Sequence, residues 1–310
     1  MPPRLAKLLA VVAAVVMIGA ALWIRSRGGD DDGGSSTGAS GRRFRVVCVT
    51  ELDTICQQLR RQGIDAEVEE AGTTADALGQ GAPGYDAWIT IDPWPAMVDA
   101  VRQQHQQPDV FDPAVPIASS DLALLLASKD LSNDCGWDCV VAASGQQQEI
   151  AIPSEDSGLG PQLIANAFSS HLKKTDFSRA DIEDPAGKGW LDRLLASAPA
   201  SDAERRMATE GAAAYIAAGT TEQAAQPAIS SASGTRRGLH FGSPELVARA
   251  DVVVATVAGR QGTQQLVARL RDKNAREAFR GAGWSAPAVG GPTGLPAADL
   301  LVALREEVDR

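Results

Sequence analysis

The sequence is short of positive charge, of histidine and of cysteine, and each shortage excludes something. Lys and Arg number 29 against 39 Asp and Glu, a formal net charge of -10. Arg4, Lys7, Arg25, Arg27, Arg42 and Arg43 all precede residue 44, facing only Asp30, Asp31 and Asp32 there, so the remainder is more acidic than the whole. No basic stripe interrupts that remainder. Such a surface repels phosphate backbones, so no nucleic-acid partner is expected. His105, His171 and His240 sit in unrelated segments, and the chain has no HExxH, no GxSxG elbow and no Walker loop. Enzyme chemistry and a cofactor are therefore not expected. No cysteine precedes Cys48, which argues against a lipid-anchored lipoprotein, and there is no internal repeat.

What is present is globular composition, 44% hydrophobic and 22% charged. The length of 310 residues allows one large domain or two lobes. Leu8 to Ile24 carry no charge, which predicts a membrane anchor over 1–27 flanked by Arg4, Lys7, Arg25 and Arg27, with Trp23 as an interfacial aromatic. The competing reading is a signal peptide cleaved after Gly19-Ala20-Ala21, although Leu22-Trp23-Ile24-Arg25 is a poor mature start. A Gly/Ser/Asp linker over 28–43 would hold the body off the membrane, on its extracytoplasmic side.

Four cysteines in an exported chain suggest two local disulfides, most simply Cys135–Cys139 and Cys48–Cys56. Buried thiols and a metal or redox site are the alternatives; the spacing is not that of a zinc ribbon. Strands and helices alternate through Arg45–Thr50, Leu52–Gln62, Ala66–Glu70, a Thr73-Thr74 turn capping Ala75–Leu78, Tyr85–Ile91 and Ala96–Gln104. This βαβαβα order predicts a parallel sheet with helices on both faces. Further on, the pattern predicts an extended run over Pro116–Ser128, a strand over Glu149–Pro153 and a helix from near Pro161 to Leu172. An alanine-rich helix follows over Ala203–Ala218, then strand-to-loop over Pro227–Ser233 and a buried strand over Asp251–Val257. One amphipathic helix over Gln264–Arg280 and a terminal helix over Ala297–Val308 complete the pattern.

Anion-binding clefts draw donors from strand C-termini and helix N-termini. The turns that qualify hold Thr50, Thr73 with Thr74, Ser119 with Ser120, and Ser157 with Gly158; Ser230 or Ser231 would add a fifth contact. Each residue could equally be a helix cap. Glu51 and Asp92 would repel a small oxyanion unless they are turned away or offset, or unless the ligand carries an amine. Trp88 and Trp94 could stack an organic ligand, though Trp88 within a strand fits a core position.

The order VVCVTEL, AGTTADAL, DAWIT, VPIASSDLALLLAS, IAIPSEDSGLG and QQLVARLRDKNAREAFRGAGW resembles the type II extracytoplasmic solute-binding proteins, in particular their molybdate-binding-like branch. The resemblance implies an α/β fold of two lobes with mostly parallel sheets, which the transmembrane helix read from Leu8–Ile24 would precede. It places lobe I at 44–118 plus 258–310 and lobe II at 119–257. It also implies an interlobe cleft for a small-molecule or oxyanion ligand, with Thr50, Thr73 and Ser157 in register with the family's site and Ser119 and Ser230 more loosely so. The partner it implies is an ABC-transporter permease. A cell-envelope sensor or interaction module on the same fold is the alternative.

Overall fold

The computed structural model describes residues 43–127, 130–144, 149–196, 199–233, 238–288 and 293–309. The expected anchor and all but the last residue of the expected linker lie outside them. Among the described residues, no helix is long and apolar enough to cross a membrane.

The first half of the body runs β1 (Arg45–Val49), α1 (Asp53–Arg61), β2 (Asp65–Glu69), α2 (Ala71–Gln80), β3 (Ala87–Ile91) and α3 (Trp94–Gln104). A long strand, β4 (Val115–Leu126), leads to α4 (Trp137–Ala143), β5 (Ile150–Ala151), α5 (Gly160–Leu172), α6 (Arg179–Glu183) and α7 (Pro185–Leu194). Next come α8 (Ala203–Glu210), β6 (Ala217–Thr221), α9 (Glu222–Ser233), β7 (His240–Phe241) and β8 (Arg249–Thr256). The chain closes with α10 (Thr263–Leu270), α11 (Lys273–Gly281) and α12 (Ala298–Val308).

The strand order β2-β1-β3-β8-β4-β6-β5, with β7 added on β4, joins two sub-sheets through β4. Val115 to Asp121 pair with β8, and Leu122 to Leu126 pair with β6. The change of partner falls at Asp121, the one exposed position in a strand otherwise buried from Ile117 onward. The expected mostly parallel pairing holds for β1–β2, β1–β3 and β5–β6 only. β4 and β8 run against their neighbours, so the sheet is mixed. A strand that leaves one sub-sheet for the other has no crossover helix to turn it parallel to its neighbours.

Burial explains the strand pattern. β3 is buried at every position and β8 at all but its first residue, as strands covered by helices on both faces must be. Within the second sub-sheet, α5 is buried from Gly160 to Ser170 and forms the centre of that half. Its Asn166 is satisfied by Trp137 Nε1 and by the Leu246 carbonyl, so the polar group is not orphaned.

Three helical expectations change. Ala203–Ala218 is not one helix: α8 stops at Glu210 before Gly211, and Ala217 onward joins the sheet as β6. Pro227–Ser233 lies inside α9 instead of forming strand and loop. Gln264–Arg280 is two helices, because Asp272 takes an extended backbone and its carboxylate accepts the Ala275 N–H at 2.8 Å, capping α11. Both disulfides are present in the expected pairing. Cys48 on β1 is bonded to Cys56 on α1, with Cα atoms 6.5 Å apart, and Cys135 to Cys139 at the start of α4, 5.4 Å apart. No free cysteine remains among the described residues.

Candidate functional site

The turns after β1 and β2 face the segment between β5 and α5 across a cavity of about 480 Å³. Thr50, Glu51 and Glu70 line it from the first half; Ser154, Ser157, Leu159 and Glu204 line it from the second. Gln223 at the start of α9 and Trp284 after α11 complete the wall, and Pro153, Pro199 and several alanines supply apolar area. No lysine, arginine or histidine is among the lining residues. The cavity therefore mixes polar groups with apolar wall, and its only ionisable side chains are acidic.

Glu51 defines its chemistry. The side chain leaves the short 3-10 turn Thr50–Leu52 that follows β1. Its carboxylate accepts hydrogen bonds from the Gly158 and Leu159 N–H groups at the start of α5 and from the Thr50 hydroxyl. A helix N-terminus offers free N–H groups and the positive end of the dipole, so a carboxylate suits it. Burial nonetheless dominates and raises the Glu51 pKa above the ordinary carboxylate range, the hydrogen bonds opposing it. Approach is so close that a Cβ on Gly158 would stand 2.6 Å from Glu51 Oε2. A side chain at position 158 would have to push the Glu51 carboxylate aside.

Elsewhere, Glu204 accepts the hydroxyl of buried Thr220 on β6, which holds that carboxylate at the wall. Glu70 occupies the N-cap position of α2 and is exposed. Gln223 is fixed from both ends, its N–H donated to Ser120 Oγ at 3.1 Å and its side-chain amide to the Ala282 carbonyl.

The residues singled out in the sequence divide between two places. Thr50 and Ser157 line the cavity. Ser157 Oγ accepts the Gly160 N–H at 2.9 Å, closing the turn into α5 and leaving its O–H to donate. Thr73 and Thr74 are not a cap: α2 starts at Ala71, Thr73 is exposed on it, and buried Thr74 donates its hydroxyl to Glu69 at 2.6 Å. Ser119 donates to the Ala286 carbonyl at 2.9 Å and pairs its backbone with Ser285. Ser119, Ser120 and Ser230 line a separate cavity of about 680 Å³ near the partner change of β4. Gln223 lines both cavities.

Trp88 and Trp94 are fully buried, 6.4 Å apart between ring centroids, and belong to the core. Asp92 is half-buried, its pKa raised by desolvation and by Asp251, with Arg249 opposing. Glu70, Glu204, Gln223 and Trp284 escaped the sequence reading. Trp284 alone carried a signal, the Gly-aromatic ending of the closing helix; Glu204 sits in an ordinary-looking amphipathic helix.

No protein-family model matches this sequence, and no curated protein matches it. Its fold does have solved counterparts. A putative spermidine/putrescine ABC transporter protein from Listeria monocytogenes superposes with a TM-score of 0.58 at 11% identity, over 79% of this chain and 83% of that one. The periplasmic binding protein P5PA gives 0.54 at 13% identity, over 86% and 96%. The sulfate-binding protein SubI from Mycobacterium tuberculosis gives 0.52 at 12% identity, over 79% and 86%. The fold is the two-lobed fold of periplasmic solute-binding proteins. The counterparts are named as binding proteins or as ABC-transporter proteins. The cavity built on Glu51, Ser157 and Glu204 is lined from the halves of both sub-sheets.

Proposed function

We propose that this chain is a membrane-anchored, extracytoplasmic solute-binding protein that captures a small organic amine in the interlobe cavity and delivers it to an ABC-type transporter. One observation carries the ligand class: Glu51, Glu70 and Glu204 line the cavity and no cationic side chain does. An oxyanion entering there would meet carboxylates with no cationic side chain beside them, and the N–H groups at the start of α5 that could have held it already bind Glu51. The oxyanion preference of the molybdate-binding-like branch is therefore not part of the proposal. An ammonium group gains charge-assisted hydrogen bonds from the carboxylates, and Trp284 with Leu159 covers its alkyl chain. The Listeria counterpart, named for spermidine and putrescine, agrees with this reading. The two disulfides support an oxidising, extracytoplasmic setting for the body, and the uncharged stretch Leu8–Ile24 supports the anchor.

Titration calorimetry on the full chain in detergent tests it with putrescine, spermidine, sulfate and molybdate. Saturable heat is expected for a diamine or triamine and none for the oxyanions. Binding of sulfate or molybdate, with no response to either amine, would overturn the ligand class.

A further inference from the structure

We propose that the two lobes are clasped shut by the chain itself, with α12 as a strap across them, so that closure does not wait for a ligand. Every contact in the clasp joins a residue of the first sub-sheet's half to the segment Asp156–Gln162 of the second, or runs through α12.

The backbone makes the first link. Gly72 N–H donates to the Asp156 carbonyl at 2.7 Å, and a Cβ on Gly72 would collide with the Asp156 carboxylate. Trp94, at the start of α3, donates its indole N–H to the Ser157 and Gly158 carbonyls at 3.2 and 3.1 Å. Gln162 on α5 donates back to the Asp92 carbonyl at 3.0 Å. Glu51 adds its two bonds to the Gly158 and Leu159 amides, filling with a protein carboxylate the seat that an anionic ligand would otherwise take.

The strap holds these together. α12 packs against α3 on one side and against α5 and α6 on the other. Arg305 sits in its C-terminal half, its guanidinium over the Trp94 ring at 5.5 Å. That guanidinium forks between the lobes, reaching Asp76 on α2 at 2.9 Å and Asp156 at 2.6 Å. Asp156 thus serves two links at once, its carbonyl to Gly72 and its carboxylate to Arg305. Two residues beyond Arg305, Glu307 pairs with Lys188 on α7 and ties the strap to the second half again. A ligand can close a hinge only by favouring the closed state over the open one. Here the protein already supplies that preference, and an entering solute must act through a cleft that opens transiently against the clasp.

The test is hydrogen–deuterium exchange of the full chain in detergent, read by mass spectrometry with and without millimolar putrescine. The reporters are the Gly72 amide and the amides of Gly158 and Leu159. In the wild-type chain they should be protected to the same extent with and without the amine. Arg305→Ala and the near-isosteric Asp156→Asn should each speed their exchange roughly tenfold or more while amides of β1 and β3 stay protected. Gly72→Ala, which leaves the ion pairs' chemistry intact but crowds Asp156, should do the same. Wild-type reporters that exchange freely until putrescine is added would overturn the proposal, as would variants that exchange like the wild type. The two readings fail separately: opening of the variants without any amine binding leaves the clasp standing and removes the amine reading.

Discussion

A carboxylate whose burial outweighs several hydrogen-bond donors is a compromise between stability and use, and Glu51 is that residue. Its raised pKa means that the folded state holds the proton more tightly than the unfolded chain does. Its contribution therefore favours the fold below the unfolded pKa and is lost as the pH rises through the folded value. The Glu51→Gln variant keeps an oxygen for the Gly158 and Leu159 amides but never carries the charge. Its thermal midpoint should accordingly exceed that of the wild type at neutral pH, and the gap should narrow as the pH falls into the carboxylate range. Parallel melts at a series of pH values check this; a midpoint below the wild type at neutral pH would refute it. The same substitution removes a charge from the amine site. A charge-assisted bond of about 1.5–3 kcal/mol corresponds to a loss of roughly 10- to 100-fold in affinity for the amine, measurable by calorimetry. Gained stability with lost binding is the signature expected of a binding carboxylate, and a purely structural one would not give both.

At the scale of elements, what could be read from the sequence depended on how local the cause was. β1, α1, β2, β3 and α3 follow from side-chain periodicity and turn residues, so they are legible one by one. β6 is not. Its sequence AAGTT opens on Ala-Ala-Gly and does not alternate, and the alanines before it continue the composition of α8; it is a strand because β4 and β5 flank it and every position is buried. α9 hides in the same way behind Pro227 in its interior. Part of the cavity wall was visible as turns, Thr50 and Ser157, whereas Glu204 and Gln223 reach it only through the packing of α8 and α9. The break between α10 and α11 is a local feature, a single capping aspartate. Asp272→Ala removes the side-chain acceptor of the Ala275 N–H and should cost about 1 kcal/mol in urea-induced unfolding, with the denaturant dependence unchanged. No change in the midpoint would show that the tertiary packing of Phe279, not the cap, starts this helix.

For the whole molecule, the proposed extracytoplasmic setting is tested jointly by the disulfides and the apolar segment. Cys48–Cys56 staples β1 to the helix that follows it, directly beside the turn that carries Glu51, and Cys135–Cys139 closes a small loop at the start of α4. Each lies within one local stretch of chain, so each forms without any rearrangement of the lobes, provided the compartment is oxidising. An exported body needs a route across the membrane, and Leu8–Ile24 is the only long uncharged apolar run in the sequence. Leu22-Trp23-Ile24-Arg25, which follow the candidate cleavage site at Ala21, make a poor mature start, so the expectation is retention as an anchor, not removal. Cells producing the full chain should then yield a protein that stays with the membranes after alkaline extraction. Terminal sequencing of that material should recover residues before Leu22. Peptide mapping without reductant should show Cys48 linked to Cys56 and Cys135 linked to Cys139 in the same molecules. A membrane-bound chain with alkylatable thiols would place the body on the cytoplasmic side, where the proposed handover to a transporter from outside could not occur. A soluble chain starting after Ala21 with both disulfides intact would keep the solute-binding reading and remove only the anchor.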